Sequence, residues 1–79
     1  MTPRDPAVAI VDSLKDYFPN IEFTLVETPA GFNAEYLIST EKGEAEKKKI
    51  RVQVLPSKYF VFDQNDIIQC RRQLNETKN

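Results

Sequence analysis

The sequence predicts a two-layer α+β domain, in which two helices pack on one face of an antiparallel meander sheet (order α-β-β-β-(β)-α). Apolar residues recur at three-and-four spacing near both ends of the 79-residue chain and alternate in its centre. Short loops join the central runs, so sequential strands should lie side by side. The composition, 41% hydrophobic and 29% charged, is that of an ordinary globular domain. We therefore expect one domain over 1–79, with frayed ends at 1–4 and 76–79.

The first helix is predicted over about 6–18. Asp5 suits the N-cap, because its carboxylate can accept from backbone N–H groups of the first turn. Pro19 disfavours helical geometry at the preceding residue and ends the helix. The apolar residues share one face: Ala7, Ile10, Val11, Leu14 and Phe18.

Alternation with a period of two predicts three strands, the first beginning at 21, the second at 32 and the third at 50. Residues 28–31 have turn chemistry, and the charged segment 41–49 predicts a solvated loop. A short fourth strand is predicted over 58–62, at the edge of the sheet. The face toward the helices should hold Ile21, Phe23, Leu25, Ala34, Tyr36, Ile38, Ile50, Val52 and Val54.

The second helix should begin at Asp63 as N-cap, with Asp66 near the positive end of the helix dipole. Its inward stripe is Ile67, Cys70 and Leu74. On this stripe the lone thiol is interpreted as a core residue, not as a nucleophile.

The residue inventory excludes many kinds of catalytic site. The chain has no His, one Cys and two Gly, so it lacks the usual general base and a thiolate metal cage. The nearest carboxylate pairs are explained by helix capping or solvation. We expect no enzyme activity, no catalytic residues, no cofactor and no metal. The lone Cys and the lack of a signal peptide or apolar span favour a cytoplasmic protein that does not bind membranes.

The open face of the sheet is the first candidate binding surface. Most of its residues should be polar, so clustered apolar side chains there would mark an interaction site. In the fourth strand both alternating sets of side chains are apolar, and only one set can face the helices. The other set, either Tyr59 and Val61 or Phe60 and Phe62, must be exposed, covered by another chain or covered by the chain's own termini. The predicted partner-binding residues are Val26, Leu37, Leu55, Phe60 and Phe62.

A basic segment is the alternative candidate. Lys47, Lys48, Lys49 and Arg51 could contact the phosphates of a nucleic acid, although acidic residues immediately upstream neutralise much of their field. The other interpretations of the lysine cluster are a solvated loop and a contact with an acidic protein partner. The element order resembles that of the double-stranded-RNA-binding domain. In that family a lysine-rich motif opens the second helix and a His-containing loop reaches the minor groove. Here that helix opens with two aspartates and the chain has no His, so no RNA-binding residue carries over.

The sequence therefore predicts a noncatalytic protein-interaction or regulatory module of the small adaptor or inhibitor type. It would dock a protein partner or a second copy of itself through the open sheet face and an edge strand. The alternative is a nucleic-acid-binding domain that uses the basic segment 47–51.

Overall fold

The computed structural model describes residues 5–39 and 42–77 and confirms the predicted α+β architecture. The elements follow in this order: α1 (Pro6–Tyr17), β1 (Thr24–Thr28), β2 (Gly31–Ser39), β3 (Ala45–Val54), β4 (Phe60–Phe62) and α2 (Gln64–Thr77). The strands form one antiparallel sheet in the order β1-β2-β3-β4. Because every connection is to the next strand, the sheet is a meander with β1 and β4 at its edges.

Both helices begin with the predicted caps. Asp5 accepts a hydrogen bond from the Ala7 backbone N–H at 3.0 Å, and Pro6 occupies the first helical position. Asp63 Oδ1 accepts from the backbone N–H groups of Asn65 and Asp66 at 2.9 and 3.2 Å. Each cap satisfies donors that have no partner within the first helical turn.

The core lies between the helices and one face of the sheet. α1 contributes Ile10 and Leu14, α2 contributes Ile67 and Cys70, and the sheet contributes alternate residues of β2 and β3 to the same buried cluster. This alternation follows from the strand period of two. The buried members from the sheet are Ala34, Tyr36, Ile38, Ile50 and Val52.

A close backbone contact at the start of β2 requires a glycine. A Cβ on Gly31 would overlap the Val52 carbonyl oxygen and would lie 2.8 Å from the Val54 nitrogen. The Gly31 N–H donates to Thr28 Oγ1 at 3.0 Å, which closes the β1–β2 turn. The absence of a side chain therefore lets the hairpin approach β3.

The structure corrects the predicted element limits at three places. β1 begins at Thr24 and not at 21, although Ile21 and Phe23 still pack against the core. β3 begins at Ala45, so most of the segment 41–49 that we expected to be a loop is a strand paired with β2. α2 extends to Thr77 and so includes residues 76 and 77, where we expected fraying. Residues 1–4, 41 and 78–79 of the predicted ends and loop lie outside the described residues.

Neither helix of the described residues combines the length and apolar character that a membrane crossing requires.

Candidate functional site

The structure corrects the predicted face of strand β4. Phe62 lies opposite Val52 and Phe60 opposite Val54, so both phenylalanines are on the core side, where they pack against the buried cluster. The prediction that they belong to the open face is therefore wrong. Val61 is the strand residue on the open face, and it is 51% exposed.

The remaining predicted partner-binding residues do not form an apolar patch. Val26 and Leu37 are on the open face and are 41% and 65% exposed, while Leu55 is half-buried in the β3–β4 connection. In the strand register Val26 lies opposite Asn33, Leu37 opposite Lys47, and Val61 opposite Gln53. Each exposed apolar side chain thus has a polar neighbour, and singly scattered apolar residues are normal on protein surfaces.

A different feature, the outer edge of β3, is the candidate binding surface. β3 has 10 residues and β4 has 3, so β4 covers only the end of β3 from Val52 to Val54. β4 stops at Phe62 because Asp63 begins the next helix. In the part of the chain that the structure describes, most of one side of β3 therefore has no neighbouring strand.

The backbone hydrogen bonds show which residues face this edge. The Val54 N–H donates inward to the carbonyl of Ala30, whereas the carbonyl of Arg51 accepts outward from the Asp63 N–H at 2.9 Å. In an antiparallel pair these directions alternate along the strand. The odd-numbered residues of β3 therefore direct their N–H and C=O groups outward, and the even-numbered residues direct theirs toward β2.

The side chain of Asp66 continues the coverage of the edge for one residue beyond β4. Its Oδ2 accepts from the Arg51 backbone N–H at 2.9 Å and from Arg51 Nε at 3.0 Å. Arg51 Nη2 also lies 3.2 Å from Asp63 Oδ2. These two carboxylates raise the pKa of Arg51, mainly through the hydrogen bond to Asp66. The outward groups of Arg51 are thus satisfied by the start of α2.

Beyond Arg51 the outward backbone groups have no hydrogen-bond partner within residues 5–39 and 42–77. Among the described residues, no hydrogen bond reaches the outward N–H and C=O groups of Ala45, Lys47 and Lys49. They span roughly 13 Å at the usual strand rise. We call this stretch of β3, residues 45–49, the free edge. An exposed row of alternating donors and acceptors is the feature to which an added strand pairs.

A shallow groove of about 530 Å³ runs along the free edge and is bounded on its other side by α2. Within it the Tyr36 hydroxyl donates to Gln73 Oε1 at 3.5 Å. The lining residues carry charged, amide and hydroxyl groups, and their hydrocarbon parts add a comparable area of apolar surface. The lining residues are Glu35, Tyr36, Lys47, Lys48, Lys49, Asp66, Gln69 and Gln73.

The predicted basic segment lies on β3, and most of its charges are paired. Lys47 Nζ lies 3.5 Å from Glu35 Oε1, and Lys48 Nζ lies 3.5 Å from Glu46 Oε1. Arg51 is held by Asp63, the N-cap of α2, and by Asp66 in its first turn. Lys49 forms no ion pair within the described residues. Each lysine pair has one well-exposed member, Lys47 or Glu46, and is therefore weak. The structure thus brings the three lysines together at the free edge but directs Arg51 to a structural role.

Cys70 lies beneath the sheet and is fully buried. Burial raises the pKa of its thiol, with opposing smaller effects from Tyr36 and Arg71. Burial also raises the pKa of the Tyr36 phenol. A buried thiol that stays protonated is a poor nucleophile, which agrees with its interpretation as a core residue. The described residues contain no group of three His, Cys, Asp or Glu side chains placed to hold a metal.

Sequence reasoning missed the free edge because Ala45 to Lys49 show no apolar alternation. The available signal was charge complementarity between strands. Glu35 is directly opposite Lys49 and diagonal to Lys47, and opposite charges at such positions favour pairing. This pattern could have extended the predicted strand into the charged segment.

Comparison with protein-family models finds none that matches the chain, and comparisons with curated proteins and with solved structures also find no match.

Proposed function

We propose that this protein is a noncatalytic interaction module that binds a protein partner by strand addition at the free edge of β3. The observation that carries the proposal is the row of outward backbone groups at Ala45, Lys47 and Lys49 that no described residue satisfies. A bound strand would supply the donors and acceptors that the short β4 leaves missing.

The backbone pattern favours a protein partner over a nucleic acid. The free edge presents carbonyl oxygens as well as N–H groups. Phosphates are acceptors only, so they would satisfy the N–H groups and be repelled by the carbonyls, whereas a polypeptide strand matches both. The pairing of Arg51 with Asp63 and Asp66 also removes one of the four cations on which the nucleic-acid alternative depends.

The experiment is affinity capture from a nuclease-treated extract of the native host, with the wild-type chain, Lys47→Pro and Lys47→Ala as baits. The Lys47 N–H points outward, so proline there removes no β2–β3 hydrogen bond but blocks strand addition. Lys47→Ala is the matched control, because it removes the same side chain and keeps the N–H. Circular dichroism should show the same sheet content in all three.

We expect the wild-type chain and Lys47→Ala to capture the same partner. Capture by Lys47→Pro should fall about tenfold or more, because a few backbone hydrogen bonds to the partner are lost. Equal capture by folded Lys47→Pro would remove the free edge as the binding surface. A second control, Leu37→Ser, changes the most exposed apolar residue of the open sheet face. If that variant alone loses the partner, binding occurs on the open face instead.

A further inference from the structure

We infer that the strand bound at the free edge is acidic, with carboxylates at alternate positions that face Lys47 and Lys49. This inference rests on the proposed function and specifies the chemistry of its partner. It follows from which side chains flank the unsatisfied backbone groups and from the direction in which each of them points.

The charge at the free edge is positive where an added strand would lie. Residues 45–49 comprise three lysines, one glutamate and one alanine. Glu35, which pairs with Lys47, lies on β2 and is therefore one strand farther from the incoming chain. Because the Lys47 side chain is 67% exposed, its ammonium group can exchange one carboxylate for another at little cost.

The alternation of side chains gives the partner a pattern. Lys47 and Lys49 are on the open face, whereas Lys48 is half-buried on the face toward α2, beside Gln69 and Gln73. A paired strand has the same period, so residues two apart on it meet Lys47 and Lys49. Acidic residues belong at those positions, and small polar residues that can hydrogen-bond to the glutamines belong between them.

A second copy of the same edge fits less well than an acidic strand. An antiparallel, two-fold pairing centred on Lys47 puts that lysine opposite itself. If the two-fold axis instead passes through residue 46, Glu46 lies opposite Glu46. If it passes through residue 48, Lys48 lies opposite Lys48. Like charges directly opposite each other destabilise a strand pair. The partner strand therefore has the opposite charge pattern.

The test measures binding of fluorescein-labelled Ac-TETETET-amide by fluorescence anisotropy at low salt, with the matched peptides Ac-TQTQTQT-amide and Ac-TKTKTKT-amide. Two favourable cross-strand charge pairs should give the glutamate peptide a preference of roughly five- to tenfold over the glutamine peptide. The preference should shrink as salt is raised, since these charges are exposed. Backbone amide shifts of Ala45, Lys47 and Lys49 in NMR spectra should report the contact.

A charge swap and a backbone block make the test specific. The double variant Lys47→Glu with Lys49→Glu should bind the lysine peptide in preference to the glutamate peptide, and Lys47→Pro should bind neither. Equal affinity for the glutamate and glutamine peptides would overturn the inference, as would tighter binding of a single-stranded oligonucleotide that displaces the glutamate peptide. The two proposals can fail separately. If Lys47→Pro loses a partner that the wild-type chain captures, but the wild-type chain does not bind the glutamate peptide at about 1 mM, then strand addition is supported and the acidic pattern is refuted.

Discussion

Proline substitution at two adjacent lysines tests the backbone alternation on which the candidate site depends. Lys47 directs its N–H to the free edge, whereas Lys48, opposite Tyr36, directs its N–H to β2. Each side chain has one ion pair at 3.5 Å, but the Lys47 side chain is 67% exposed and the Lys48 side chain is 35% exposed. Each proline variant is therefore compared with the alanine variant at the same position, and the two differences then depend chiefly on whether a sheet hydrogen bond is lost.

The expected magnitudes follow from that difference. Both variants force φ from near −140° to about −65°, and the alanine variant at each position accounts for the loss of the side chain, so these costs largely cancel in the comparison. Lys48→Pro also leaves the carbonyl of Tyr36 without its donor, which costs about 1–3 kcal/mol. We expect Lys48→Pro to be less stable than Lys47→Pro by this amount, each relative to its alanine variant. For a chain of this length, with a total stability of roughly 4–12 kcal/mol, that is a large fraction.

Urea denaturation followed by circular dichroism, with the slope and midpoint fitted for each variant, measures this difference. Lys47→Ala and Lys48→Ala provide the baseline for loss of the side chains alone. Equal destabilisation by the two prolines, or greater destabilisation by Lys47→Pro, would show that the outward direction is assigned to the wrong residues. The free edge would then be refuted as a row of unsatisfied groups.

Two further predictions concern the core and its ionisation. Gly31→Ala should lower the free energy of unfolding in urea by about 2–3 kcal/mol, because the added Cβ would meet the backbone of β3. Gly43→Ala is the control, since Gly43 has φ +79° and nothing within 4 Å of an added Cβ, and it should cost only about 1 kcal/mol. A smaller loss of stability in Gly31→Ala than in Gly43→Ala would contradict the close contact. Burial raises the pKa of Cys70 above its ordinary value of 9.0 and also raises the pKa of Tyr36, so the unfolded chain releases these protons at lower pH than the folded chain. The stability that these two protonated groups contribute should be fully present below about pH 8 and should be lost as the pH rises above that. In Cys70→Ala the free energy of unfolding should fall less between pH 8 and 9.5 than in the wild type. A wild-type free energy of unfolding that stays constant up to about pH 10 would refute this prediction.

Elements with strong local signals were predictable from the sequence. The helix caps at Asp5 and Asp63 depend on short-range hydrogen bonds, and the buried alternation of β2 and β3 depends on the strand period. For β4, local pattern could not decide, because both alternating sets are apolar. Its face is set by its register with β3, which places Phe62 opposite Val52. The candidate site was missed for a related reason, since its strand consists of charged residues with no apolar alternation.

The sequence by itself determined the fold class, the order of the elements and the absence of His, because these follow from periodicity, turn chemistry and residue inventory. The tertiary structure decided which strand edge is left uncovered among the described residues. A 3-residue strand beside a 10-residue strand leaves outward backbone groups of β3 without a hydrogen-bond partner in that part of the chain, and Asp66 closes the edge at Arg51 but no farther. Such an edge is defined by pairing between distant segments, so no single stretch of sequence contains it.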